Sequence, residues 1–251
     1  MALDTRRLFL RLLRTLHIDF ICDAGSLDGR DALRFRDSVR DADIVALEPN
    51  PANFKRMQSE TTLAAAGIEL VQVAAADFDG EAPFHLVPAP PGADQRGRRG
   101  MSSLLERSDA RFAGPSIMTQ VRRLDGLLGA RVRDRRLALW IDTEGMAFET
   151  LSGAAGVAES LELVHVEVEV EPCIGTSQHL YADVAALLRS WGFVELATNF
   201  SPGSIQFDAV FARADARRRV QWRIGFWVAA LGLHHLCRRA TSALRRRGRR
   251  G

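Results

Sequence analysis

The sequence has little cysteine, a single tyrosine, a single lysine and no long apolar run. Its three cysteines, Cys22, Cys173 and Cys237, are an odd number at wide spacing with no CxxC pair. That excludes a disulfide framework and a structural zinc site, and makes a reducing cytoplasm the expected compartment. Lys55 and Tyr181 stand far apart, which argues against the Tyr/Lys pairing of a nicotinamide-dependent oxidoreductase. The longest uninterrupted apolar stretch, residues 224–233, would make only ~15 Å of helix at ~1.5 Å per residue. A bilayer core is about 30 Å thick, so a spanning helix is not expected there. Acid is also missing from one region: residues 217–251 carry eleven Arg and no Asp or Glu. The formal charge of +3 therefore divides into an acidic body, −8 over residues 1–216, and a basic extension.

What is present suits one α/β domain. A chain of 251 residues, 47% hydrophobic and 26% charged, is neither disordered, fibrous nor polytopic. At this length about 70% of the unfolded surface can be buried without covalent staples. Residues 1–17 place Leu8, Leu12, Leu13 and Leu16 on one helical stripe opposite Arg7, Arg11 and Arg14. Those arginines interrupt any signal-like apolar core, so the segment reads as a surface helix packed on the domain.

Beyond it, apolar runs alternate with helical periodicity. Strands are expected at 18–24, 43–48, 69–73, 137–142, 163–170, 193–197 and 205–211, with helices at 30–39, 52–66, 124–128, 148–152 and 180–191. The rhythm breaks in the middle. Asp79-Gly80 suggests a hairpin turn before an 82–87 strand, residues 88–100 form a Pro/Gly/Arg loop, and order resumes at 120–123. Such alternation predicts a doubly wound, mostly parallel sheet with helices on both faces. Ligands then belong at the carboxyl ends of the strands.

Two signals sit at those ends. Asp23-Ala-Gly25-Ser-Leu-Asp-Gly29 follows the first strand directly, and glycines there permit tight turns and close approach of backbone to a ligand. Glu48 ends the second strand, where a carboxylate can accept both hydroxyl hydrogens of a ribose. The glycine pattern is not GxGxxG, and Asp23 stands where a pyrophosphate would be repelled. A cationic ligand bearing an adenosine and an amino-acid end tolerates that acid, and S-adenosylmethionine fits the description. Asp77, after the third strand, offers an acceptor for an adenine amino group or serves equally well as a turn residue.

Taken together, the ordered blocks FICDAGSLDG, VALEPNPANFKRM, AAADFDGEAPFHL, GMSSLLER, VRRLDGLL and LALWIDTEGMAFETLSGA resemble the FkbM family of S-adenosylmethionine-dependent methyltransferases. The resemblance covers roughly residues 18–212 and implies the Rossmann-like class I fold with a seven-stranded sheet. It implies Gly25 and Gly29 along the methionine and ribose of the cofactor, Asp23 near its amino group and Glu48 on the ribose. Asp77 and Phe78 would face the adenine, and Asp142 and Glu144 would lie on the substrate side of the sulfonium. There are departures: Trp140 stands where the family usually has Lys, Arg123 where Thr is usual, and Phe148 shifts the second acid to Glu149.

Asp142 and Glu144 also read, from chemistry alone, as a general base or a substrate-orienting carboxylate. Asp-Thr-Glu is equally a capping sequence for the helix that follows. In the fifth strand Val164, Val166 and Val168 alternate with His165, Glu167 and Glu169, whereas a central parallel strand should be apolar on both faces. His165 is read as a base or proton shuttle, with a core histidine as the alternative. Glu167 joins the catalytic candidates, and Glu169 is expected at a solvent-exposed strand end. Asp142, Glu144 and Glu167 have the oxygen donors of a divalent-metal site, but no spacing demands one, and no metal is assigned.

The expected protein is therefore a methyltransferase body, residues 1–216, with 88–100 as a flexible loop or substrate lid and 217–251 as an Arg-rich appendix. Its reaction is expected to be O-methylation of a hydroxyl on a sugar, glycan or small natural product. A nicotinamide-dependent oxidoreductase and a non-catalytic, membrane-associated scaffold are the alternatives. The appendix, with Trp222, Phe226 and Trp227 among its arginines, suits an anionic membrane surface or a partner protein, a second copy of this chain included. Nucleic acid is not expected, because the body is acidic. The location that follows is cytoplasmic, with peripheral attachment to the inner face of the membrane through the appendix.

Overall fold

The computed structural model describes residues 4–88 and 94–216. The expected appendix, 217–251, lies outside the described residues. The chain opens with α1 (Thr5–Thr15), β1 (Phe20–Ala24), α2 (Arg30–Ser38), β2 (Asp43–Leu47), α3 (Pro51–Ser59), α4 (Thr61–Ala65) and β3 (Ile68–Val71). A second group follows: β4 (Ala74–Ala75), β5 (Gly80–His85), α5 (Gln95–Gly100) and β6 (Ser116–Arg122). Alternation then returns with α6 (Leu124–Leu128), β7 (Leu137–Ile141), α7 (Ala147–Ser152), β8 (Leu161–Glu169), α8 (Tyr181–Ser190), β9 (Phe193–Thr198) and β10 (Gln206–Arg213).

Seven strands form the main sheet in the order β3-β2-β1-β7-β8-β10-β9. The first five run parallel, and β10 is antiparallel to both neighbours. Burial explains the parallel part, since every residue of β1 and β7 is inaccessible to solvent. Strands covered on both faces read as continuous apolar runs. The chain winds outward from β1 through β2 to β3, then returns to continue from β7 in the other direction. The switch point falls between β1 and β7, which is where an open α/β sheet leaves a ligand crevice.

Three local expectations are corrected. The 52–66 helix is two helices, because Glu60 between them is extended. Ser59 turns its hydroxyl back onto the Arg56 carbonyl at 2.7 Å, the local competition that ends helices. Asp79-Gly80 does not close a two-strand hairpin: β5 pairs antiparallel with β6, which β4 flanks from the other side. Within the 88–100 loop, Asp94 caps α5 by accepting from the Arg96 and Gly97 amides, so part of the loop is helical.

The polar face of β8 also finds its explanation. Helix α1 lies across it with Leu8, Phe9, Leu12 and Leu13 fully buried. His165 is sealed beneath, stacked on Trp140 with ring centroids 3.6 Å apart and Phe9 edge-on at 5.8 Å. Nearer the carboxyl end, Gln206 of β10 donates to Glu167 at 2.8 Å and to Glu169 at 3.1 Å. Glu169 is buried, not at an exposed strand end as expected. Among the described residues no helix is long and apolar enough to cross a membrane.

Phe9 is the knob that fixes α1, touching Phe35 and Trp140 as well as His165. Phe9→Ala should therefore destabilise the fold by about 3–5 kcal/mol, measured as a lower denaturant midpoint with an unchanged slope.

Candidate active site

The site grows from the loop between β1 and α2. Gly25 and Ser26 donate their amides to the Leu47 carbonyl at 3.1 and 2.9 Å, tying the loop to the end of β2. Gly25 has φ +87°, and a Cβ there would stand 1.9 Å from the Asp142 carbonyl oxygen. Only glycine lets the end of β1 lie this close to the end of β7. Beneath the loop, Asp23 accepts a hydrogen bond from Ser26 Oγ at 2.6 Å on one oxygen. Its other oxygen, Oδ1, is buried without a donor. Burial, aided by the nearby carboxylates, raises its pKa to about 8.

Glu48, one residue past β2, is 5% exposed. Its carboxylate accepts from the Leu27 amide at 2.7 Å, the Asn50 amide at 2.9 Å and Asn53 Nδ2 at 3.3 Å. Burial outweighs these donors and lifts its pKa to about 7. The bonds fix the carboxylate at the mouth of a cleft whose wall it shares with Gly25, Leu27 and Pro49. The cleft holds about 850 Å³ of empty space, open solvent included. Val73, Ala74, Ala75, Phe84, Leu104 and Met146 give it an apolar wall, and α5 brings Arg99 over it.

At its other end the cleft is acidic. Asp142, Glu144 and Glu167 each present an oxygen, all within 4.8 Å of one another. The turn that places them is tight: Glu144 and Gly145 both have positive φ, +48° and +86°. Ser103 Oγ donates to the Glu144 carbonyl at 2.7 Å, and the buried Arg107 guanidinium pairs with its carboxylate at 2.8 Å. Asp142 caps no helix, since α7 starts only at Ala147, behind Met146. Burial raises the pKa of Glu144 to about 8 despite Arg107. Asp142 is open to solvent in the cleft and Glu167 is half-buried; desolvation and the neighbouring acids push the pKa of both upward. Behind them Asp208, which faces Glu167 across the β8–β10 ladder, is raised to about 6 by burial and by Asp142.

The structure thus brings Gly25, Glu48, Asp142, Glu144 and Glu167 to one cleft, with Asp23 just below its floor. Four other sequence candidates are not on its walls. Gly29, at φ +74°, caps α2, and a Cβ there would press on Leu63 at 2.6 Å, so its role is packing. Asp77 and Phe78 are exposed on the far side of the apolar wall, where Arg123 holds the Asp77 carbonyl at 2.7 Å. His165 is 1% exposed and held neutral by burial, and Thr5 Oγ1 at 3.4 Å is its polar neighbour. It is a core histidine. Sequence reasoning missed Arg107 and the Val73–Ala75 wall. An arginine two residues after Leu105 carries no periodic signal, and three small apolar residues look like any strand end.

The methyltransferase FkbM domain model matches residues 23–195. No curated protein matches the chain in sequence. Among solved structures, precorrin-6y C5,15-methyltransferase from Geobacter metallireducens is similar at 15% identity, covering 83% of this chain and 86% of that one, with a TM-score of 0.40. Magnesium protoporphyrin IX methyltransferase from Synechocystis, with SAH bound, is 11% identical over 84% and 82%, at a TM-score of 0.43. A putative caffeoyl-CoA O-methyltransferase from Staphylococcus aureus is 11% identical over 83% and 82%, at 0.44. At such identities and TM-scores, none of the three informs the substrate of this chain.

The buried acids make stability depend on pH in a definite direction. A carboxyl whose pKa is raised on folding stabilises fully below its ordinary value near 4, and that contribution is lost as pH rises through the folded value. For Asp208, Glu48, Glu144 and Asp23 the folded values run from about 6 to about 8. The ligand-free protein should therefore lose thermal stability from about pH 5 to about pH 8.5, by several degrees at roughly 2–4 °C per kcal/mol. Glu48→Gln should flatten part of the slope in a thermal-shift series.

Proposed function

The chain belongs to the methyltransferase FkbM domain family and is an S-adenosylmethionine-dependent methyltransferase, and we propose that its acceptor is a hydroxyl on a sugar, glycan or small natural product. The residues present fit the cofactor. Asp23 Oδ1 is an orphaned buried acceptor below the glycine loop, suited to an ammonium. Glu48 stands at the strand end where a ribose diol is held. The apolar wall of Val73, Ala74 and Ala75 suits the adenine better than Asp77 and Phe78, which lie outside the cleft. When bound, S-adenosylmethionine supplies an electrophilic methyl group.

The observation that carries the hydroxyl reading is the Asp142–Glu167 pair with Glu144 beside it. A hydroxyl must lose its proton as the new carbon–oxygen bond forms, and a carboxylate of ordinary pKa is a weak base for that task. Here desolvation raises the proton affinity of both members of the pair, and at Glu167 the charges of Asp142 and Glu144 add to it. With two carboxyls this close, one that keeps its proton leaves the other as the anion that receives the acceptor's proton from its oxygen. Glu144, anchored by Arg107, is placed to orient a second hydroxyl of a polyol. Most of the acceleration comes from holding the reactants in line, roughly 7–11 kcal/mol at best. The base contributes the smaller share, about 10²–10⁴-fold.

Calorimetric titration with S-adenosylmethionine and a methyl-transfer screen over sugars, nucleotide-sugars and polyketide-like alcohols test this reading. Glu48→Ala should weaken cofactor binding by about 10–100-fold, the loss of charge-assisted hydrogen bonds. Asp142→Asn should lower kcat by about 10²–10⁴-fold with a much smaller change in cofactor affinity. The wild-type rate should climb with pH as the pair loses its shared proton. Transfer to amines alone, or a pH-independent rate, would overturn the hydroxyl assignment.

A further inference from the structure

A second recess adjoins the cofactor cleft. It is lined by residues from the start of α2, from α3, α4 and α5, and it encloses about 900 Å³ including open solvent. Four arginines line it, Arg30, Arg56, Arg96 and Arg99, against two acids, Asp28 and Glu60. Leu27 and Arg99 line both this recess and the cofactor cleft, so the two share a wall.

The charges in the recess do not cancel. Asp28 is already taken twice, by Arg96 Nε at 2.6 Å and Arg30 Nε at 3.3 Å. Among the described residues neither Arg56 nor Arg99 has an acidic partner within ion-pair distance. The Nε of Arg99 is shut off from solvent and has no acceptor. Arg56 and Arg99 both line the recess, and desolvation, followed by repulsion from Arg56, makes Arg99 a weaker base than an ordinary arginine. A buried guanidinium N–H without an acceptor is a cost to the fold, and an anion between the two would remove it. A carboxylate is satisfied by one guanidinium fork. Two forks converging from different helices match a tetrahedral anion with three free oxygens.

We propose that this recess binds a phosphoryl group, as phosphate or diphosphate, beside the cofactor. The anion has two sources, a free phosphate or the phosphoryl end of the methyl acceptor. Arg56 on α3 and Arg99 on α5 hold it, while Arg30 and Arg96, tethered by Asp28, supply the surrounding positive field. The site is independent of the hydroxyl assignment above.

Pyrophosphate is the probe. Calorimetric titration of the full chain with pyrophosphate should show saturable binding, and Arg56→Gln and Arg99→Gln should each weaken it by about tenfold or more. S-adenosylmethionine is titrated in parallel into wild type and Arg56→Gln, which should bind it alike. A wild type that binds S-adenosylmethionine but not pyrophosphate, or variants that bind pyrophosphate as well as wild type, would overturn the phosphoryl site alone. Failure of the wild type to bind S-adenosylmethionine would instead tell against the cofactor cleft. The source is separated by matched sugar acceptors with and without a phosphate. If the acceptor carries the group, the phosphorylated member has the lower KM and loses that advantage in Arg56→Gln. If free anion is bound, pyrophosphate affinity falls in the variant while the acceptors' KM values stay equal.

Discussion

The site depends on the close approach of two parallel strand ends. Gly25 at the end of β1 lies so near the Asp142 carbonyl that no side chain fits between them, and the Asp142 amide in turn donates to Ala24 at 2.9 Å. That contact sets the distance between the glycine loop and the acidic turn. It falls at the one place where the winding of the sheet reverses and leaves a crevice. A Cβ at position 25 would push the loop and the turn apart.

Around this contact the fold concentrates carboxyls in places of low polarity. Asp23, Glu48, Glu144 and Asp208 are raised to about 6–8 chiefly by burial, and Asp142 and Glu167 move in the same direction. Their hydrogen bonds to backbone amides, to Asn and Gln side chains and to Arg107 compensate only in part. Such an arrangement costs the protein stability as the pH rises above the ordinary carboxyl range.

Much of this was legible in the order of residues. The alternation of apolar runs and amphipathic helices predicted the doubly wound sheet, because burial on both faces leaves a signature in every central strand. Gly25, Glu48 and Asp142 were legible because each follows a strand directly, with Glu144 in the turn after Asp142, where open α/β sheets leave their crevice. The misreadings share a cause. Gly29, Asp77, Phe78 and His165 have suitable chemistry and suitable sequence positions, yet Leu63, the solvent and helix α1 claim them. Glu169 looked exposed because it nears a strand end, and Gln206 of an antiparallel neighbour covers it.

The sequence by itself determined the period of each element, the glycine turn, the acid after β2 and the separation of an acidic body from a basic extension. These are local properties, fixed by backbone sterics and by which side chains repeat every two or every three to four residues. Only the tertiary structure decided which polar groups share a cavity. It set His165 beneath Phe9, drew Arg107 onto Glu144 across 37 positions, and turned Arg56 and Arg99 toward one recess. Those pairings depend on how helices lie across the sheet, and so on packing between segments far apart in the chain, which no local pattern encodes.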